Sequence, residues 1–191
     1  MFAFKKKYFL IIQSIKDIDL SNVKKKNKFI IIYRNETKTE KITQLLQFRK
    51  KCKAKKIDFY ISNNIKLATI TKADGLYVSA YNKNLNLKRI KNSYSKIIGS
   101  AHTIKELNLK VLQGCTDILF SRLFQTSYKF KEGFLGVVKF NLLKISRKEN
   151  IIPLGGIRLS NLNQLSIVKC NSLAILTEVK KKPAKIFSRL F

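Results

Sequence analysis

The stretch Ile151-Ile152-Pro153-Leu154-Gly155-Gly156-Ile157-Arg158-Leu159-Ser160 decides how this chain is read. A short apolar run of strand length ends on two glycines. It then passes into a segment that Ser160 or Asn161 opens as a helix. Glycines at the carboxyl end of a strand let backbone N–H groups come close to an anion. A second apolar run follows, Ser172-Leu173-Ala174-Ile175-Leu176, and it ends on the hydroxyl of Thr177. Two successive strands ending in anion-friendly groups suggest a phosphate site. In a (β/α)8 barrel such a site lies after strands seven and eight.

Working outward, six more runs of the same kind precede these two: Lys7–Gln13, Lys28–Tyr33, Asp58–Ile61, Gly75–Ser79, Lys96–Gly99 and Asp117–Ser121. With Ile151–Leu154 and Ser172–Leu176 they make eight. They are rich in Ile, Leu, Val and Phe and show no clean alternation, as expected of parallel strands covered on both faces. Helical stretches lie between them. Lys38 to Ala54 carries the stripe Ile42, Leu45, Leu46, Phe48 and a cationic carboxyl end. Asn64 to Thr71 is short. Thr103 to Gln113 opens with Thr103 followed by Glu106, a capping-box pattern, and closes on Gly114. Asn161 to Val168 and Lys180 to Leu190 complete the expected set, with Pro183 in the first turn of the latter. The segments around 17–25 and 83–92 read as loops with at most one turn. The pattern predicts one α/β domain over residues 1–191, a small (β/α)8 TIM barrel. An open doubly wound sheet is the structural rival, although no Gly-x-Gly-x-x-Gly follows the first strand.

Composition sets the outer bounds. An apolar content of 45% supports a folded core and argues against disorder. No apolar run approaches the ~18 residues that a membrane span requires, and the N-terminal lysines precede too short an apolar block for a signal peptide. These features predict a cytoplasmic protein with no membrane partner. Cys52, Cys115 and Cys170 are widely spaced and odd in number, with no metal or disulfide framework. The net charge is +29, from 40 basic and 11 acidic residues, and most of the cations are Lys spread over the whole chain. A dispersed Lys surface predicts no specific nucleic-acid partner. It does create a field that attracts anionic ligands.

Five segments, in order, resemble a known family. Ala73-Asp74-Gly75-Leu76-Tyr77-Val78 resembles an "ADGVHL" strand, and Ile97-Ile98-Gly99-Ser100-Ala101-His102-Thr103 an "IIG-S-x-HT" strand-to-helix junction. Asp117 through Phe124-Gln125-Thr126-Ser127-Tyr128-Lys129 resembles a "D…PVFPT-x-T-K" strand and loop. Ile152-Pro153-Leu154-Gly155-Gly156-Ile157 resembles "PVVAIGGI", and Asn171-Ser172-Leu173-Ala174-Ile175-Leu176-Thr177 resembles "DGVAVVS". Together they resemble the thiamine phosphate synthase superfamily, which also holds the thiazole tautomerase-like proteins.

The resemblance implies a (β/α)8 barrel that joins hydroxymethylpyrimidine diphosphate to thiazole phosphate, with Mg²⁺ as cofactor and phosphorylated small molecules as partners. It places the thiazole phosphate at Gly155, Gly156 and Thr177. It places the diphosphate near Arg34, Thr126 and Lys129, with Lys129 also a catalytic candidate, Ser100 a further phosphate-binding candidate, and Tyr128 where the family's loop has a second Thr. The metal side departs from the pattern. The family's "ND" falls on Ser62-Asn63 and its "GQED" on Ser79-Ala80-Tyr81-Asn82, so Asn63 and Asn82 stand where carboxylates are expected. Losing two charges weakens a Mg²⁺ site. Ile32 and Glu36 likewise replace a Gln and a Lys of the family pattern. In the tautomerase branch a His can serve at the end of strand six, where this chain has Arg122. His102, the only histidine, lies at a strand-to-helix junction and is the ordinary candidate for moving a proton. The alternatives to synthase chemistry are a metal-free thiazole phosphate tautomerase or isomerase and a non-catalytic barrel that binds a phosphorylated ligand.

Overall fold

The structure, a computed structural model, describes residues 7–23, 27–35, 40–87, 89, 94, 96–126 and 133–176. Eight strands form one closed parallel barrel in chain order: β1 (Lys7–Ile12), β2 (Phe29–Tyr33), β3 (Asp58–Ser62), β4 (Gly75–Val78), β5 (Lys96–Ala101), β6 (Asp117–Ser121), β7 (Asn150–Leu154) and β8 (Ser172–Ile175). Closure comes from β8 pairing with β1, where Tyr8 lies opposite Leu173 and Leu10 opposite Ile175. An open sheet would leave those two strands as edges, so the rival architecture is excluded.

The strands bury both faces, which is why their sequences do not alternate. One set of side chains fills the barrel interior: Phe9, Ile11, Ile30, Ile32, Tyr60, Tyr77, Ile98, Leu119, Ile152, Leu154 and Ala174. The residues between them, such as Leu10, Ile31, Phe59, Leu76, Ile118 and Leu173, face the surrounding helices. Gly75 is required by this packing. A Cβ there would lie 2.1 Å from the Tyr60 ring and 2.4 Å from the Lys96 carbonyl oxygen.

Four α-helices lie among the described residues: α1 (Ile42–Ala54), α2 (Ile65–Ile70), α3 (Ile104–Leu112) and α4 (Gly136–Ile145). Asn64 caps α2 by accepting from the Leu67 N–H at 2.9 Å. Thr103 caps α3 by accepting from the Glu106 N–H at 3.2 Å, and Gly114 follows with φ 82°. The Glu106 carboxylate reaches back to the His102 N–H at 2.6 Å, one residue before the position that the capping-box pattern predicts.

Three connections are lean, two of them as the sequence suggests and one, Asn161–Val168, leaner than the helix expected there. The chain passes from β1 to β2 through 3-10 turns at Ile15–Asp17 and Leu20–Asn22, and the expected helix over Asn161–Val168 is a 3-10 helix, Leu159–Ile167. In the link from β4 to β5, residues 85–87 form a 3-10 turn. Short connections explain how 191 residues close an eight-stranded barrel. The reading of the sequence missed α4, which lies between β6 and β7. The expected closing helix, Lys180 to Leu190, lies outside the described residues.

Candidate functional site

Because every strand is parallel, the residues following β1 to β8 gather at one mouth of the barrel. Arg34 is the first residue beyond β2, half-buried, with its N–H donating to the Ile12 carbonyl at 2.8 Å. Asn63 is the first residue beyond β3. Asn82 lies in the turn after β4, and Ser100 is buried within β5. His102 is exposed immediately after β5, its ring centroid 6.5 Å from that of the exposed Tyr81. Arg122 follows β6 and donates through Nη1 to Thr126 Oγ1 at 3.4 Å. Gly155 and Gly156 follow β7. Lys129, Tyr128, Glu36 and Thr177 lie outside the described residues. The structure thus brings Arg34, Asn63, Asn82, Ser100, His102, Thr126, Gly155 and Gly156 to one end of the barrel.

The glycine pair has a local reason to exist. Both residues are left-handed, with φ 95° at Gly155 and 70° at Gly156. A Cβ on Gly156 would lie 2.3 Å from the Phe124 carbonyl oxygen, and one on Gly155 would lie 3.0 Å from Ser121 Oγ. The loop after β6 packs directly on this turn, with the Leu123 N–H donating to the Leu154 carbonyl and the Phe124 N–H to the Gly155 carbonyl. Among the described residues the N–H groups of Gly155 and Gly156 have no hydrogen-bond partner.

Of a polar collar at the mouth, reading the sequence found Ser100 alone. The inward apolar residues Tyr60, Tyr77, Ile98 and Leu119 are each followed, two positions on, by a serine: Ser62, Ser79, Ser100 and Ser121. The period of two carries these hydroxyls along the same interior-facing side toward the mouth. The repeated pattern of apolar residue, any residue, serine at four consecutive strand ends was the available signal. Also missed was Lys110 on α3, a fully buried lysine whose ammonium donates to the Asn82 carbonyl at 2.7 Å and to Gln113 Oε1 at 2.8 Å. Burial holds its pKa below the ordinary lysine value.

Part of the motif set is structural. Asp74 of the Ala-Asp-Gly segment pairs with Arg49 of α1 at 2.6 Å and accepts from the Phe59 N–H at 2.7 Å, at the amino ends of β3 and β4, far from the mouth. Asp117 likewise works at the amino end of its strand, accepting from Asn150 Nδ2 and lying 3.9 Å from the Lys96 ammonium.

The side chains at positions 63 and 82 do not fit Mg²⁺. Both are amides, and Asn63 Oδ1 already accepts from the Ser79 N–H and from Asn82 Nδ2, each at 3.1 Å. Among the described residues no three His, Cys, Asp or Glu side chains come together as a metal-binding group.

Comparisons with known proteins bear on the family and the fold. The model of the family "Thiamine monophosphate synthase" matches residues 20–179. Among curated relatives, the thiamine-phosphate synthase of Prochlorococcus marinus (strain AS9601) is 25% identical over 174 residues, covering 88% of this chain and 48% of the relative. That of Pelagibacter ubique is 28% identical over 173 residues, covering 87% of this chain and 83% of the relative. The chain therefore spans about half the length of the Prochlorococcus relative and most of the Pelagibacter one. Of solved structures, the thiamine phosphate pyrophosphorylase from Pyrococcus furiosus superposes with a TM-score of 0.71 at 15% identity, covering 98% of each chain. The YdjI aldolase from Escherichia coli K12 superposes at 0.62 with 8% identity, covering 98% of this chain and 86% of that one. At those identities the structural likeness speaks for the fold alone. No helix among the described residues is long and apolar enough to cross a membrane. With the family model covering residues 20–179, which hold seven of the eight strands, the chain belongs to the thiamine monophosphate synthase family.

Proposed function

We propose that the protein acts in thiamine biosynthesis as a thiamine-phosphate-synthase-like transferase that holds its phosphorylated precursors at the carboxyl mouth of the barrel. The observation that carries this reading is the Gly155-Gly156 turn, whose unpartnered N–H groups share one rim with Arg34, Ser100 and Arg122 in a chain of this family. Gly155, Gly156 and Thr177 are assigned to the phosphate of the thiazole, as backbone donors and a hydroxyl suit an anion. Arg34, Ser100, Thr126 and Lys129 are assigned to the pyrimidine diphosphate. In the condensation, the bond from the pyrimidine methylene to the diphosphate oxygen breaks and the diphosphate leaves with the electron pair. The thiazole nitrogen lone pair then forms the new C–N bond. Fixed guanidinium groups act most strongly where that leaving charge develops. His102 is assigned to hand a proton to the departing diphosphate.

The test is incubation of purified protein with both precursors, with mass detection of thiamine phosphate. Formation of product, reduced at least tenfold in Arg34→Ala, supports the transferase. A second reading is favoured by the amides at 63 and 82: the barrel binds thiazole phosphate without joining it, or isomerises it without metal. No condensation product, with a thermal shift from thiazole phosphate alone, would support that second reading. Turnover of the thiazole phosphate that a chelator does not affect would separate isomerase from binder.

A further inference from the structure

The ends of β3 and β4 are tied together by amides. Asn63 Oδ1 accepts from the Ser79 N–H and from Asn82 Nδ2, each at 3.1 Å, and Asn63 Nδ2 donates to Ser79 Oγ at 3.0 Å. Asn82 Oδ1 accepts from the Asn84 N–H at 3.0 Å. A backbone N–H only donates, so the Ser79 and Asn84 bonds fix which way each amide faces. Asn63 has φ 56°, a left-handed conformation that Asn and Asp tolerate better than other side chains. From below, Lys110 Nζ and Gln113 Nε2 hold the Asn82 carbonyl at 2.7 and 2.9 Å, and Gln113 Nε2 also donates to the Asn84 carbonyl at 3.0 Å. The Asn82 turn is therefore gripped by its side chain at the mouth and by its backbone from α3.

This arrangement opposes a divalent cation. Mg²⁺ is bound through oxygen ligands, with carboxylates supplying the protein's charge. Asn63 Oδ1 already serves two donors, and Asn82 presents an N–H toward Asn63. Arg34 follows β2, the neighbour of β3, and Arg122 follows β6 on the same mouth, in a chain of net charge +29, so an approaching dication meets a repulsive field.

We propose that the Asn63–Asn82 pair takes the structural place of a divalent cation, latching β3 to β4 and leaving the mouth to receive phosphorylated ligands without metal. The latch stands on the geometry alone; the statement about ligands rests on the function proposed above.

The experiment is a titration of the full chain with Mn²⁺ alone, followed by the electron paramagnetic resonance signal of free Mn²⁺. The wild type is expected to leave that signal unchanged. The Asn63→Asp/Asn82→Asp variant, checked for native circular dichroism, is expected to remove one equivalent. Asn82→Asp alone serves if the double variant does not fold. One equivalent bound by the wild type and lost in Asn82→Ala would overturn the proposal, as would a folded double-Asp variant that binds no Mn²⁺. A thermal-shift arm uses inorganic pyrophosphate as probe. An equal shift with EDTA and with Mg²⁺ supports the proposal, and a shift seen only with Mg²⁺ overturns it. No shift under any condition, with the Mn²⁺ result as expected, would tell against the proposed function and leave the latch supported.

Discussion

Gly156 carries the tightest backbone requirement at the mouth. Its φ is left-handed, and a Cβ would meet the Phe124 carbonyl oxygen at 2.3 Å, which leaves no room for alanine. Gly156→Ala is expected to cost about 3 kcal/mol, combining left-handed strain with overpacking, as read from the urea midpoint at unchanged slope. Asp74 is the corresponding residue at the opposite end of the barrel. Asp74→Ala removes the carboxylate that pairs with Arg49 and accepts from the Phe59 N–H. A loss of about 2 kcal/mol is expected in the same measurement, with precursor binding retained because the proposed site lies at the other end. Both residues were legible as motif members. Their physical jobs were not, because close backbone approach and a staple between α1 and β3 are contacts between distant parts of the chain. Asn63 and Asn82 were legible as departures from a metal site, but their bond to each other was not.

At the level of elements, all eight strands could be read in the sequence to within one or two residues, because a strand buried on both faces is a plain apolar run. Helix α3 was equally clear, since its cap and its closing glycine are local signals. Thr103→Ala is expected to cost about 1 kcal/mol by loss of the cap, measured by thermal or urea unfolding. Helix α4 was not legible. It begins at a glycine with no side-chain cap, and apolar residues occupy both its faces: Phe140 is buried, whereas Val138, Leu142 and Ile145 are exposed. Apolar residues on more than one face, with Lys139, Asn141 and Lys144 among them, leave no clear 3.6-residue stripe to read. The 3-10 helix Leu159–Ile167 was overread as an α-helix for a related reason, since length and polarity alone do not separate one from the other.

For the whole molecule, burial of the thiols sets an alkaline limit. Burial pushes Cys52 and Cys115 up to about 12, from an ordinary thiol value of 9.0. Above pH 9 the unfolded chain loses these protons while the folded chain keeps them. The unfolded state then binds fewer protons, and stability falls as pH rises toward 12. Each thiol contributes a slope of about 1.4 kcal/mol per pH unit across that window. Lys110 acts in the opposite sense: its lowered folded pKa makes stability rise with pH until the free lysine value of 10.5 is passed. Urea midpoints are expected to fall between about pH 9 and about pH 11, and to fall less steeply in Cys52→Ala/Cys115→Ala than in the wild type. The barrel itself was legible because eight strands in sequence, with crossovers between them, admit few closed topologies. The serine collar beyond Ser100 and the buried Lys110 were not, since each depends on which face of an element meets the interior.

A crystal structure of the protein with thiazole phosphate shows whether the mouth beyond β7 and β8 holds a phosphorylated precursor. Phosphate oxygens are expected within about 2.7–3.2 Å of the Gly155 and Gly156 nitrogens. A phosphate bound elsewhere on the surface, or none at saturating ligand, would overturn the proposed function.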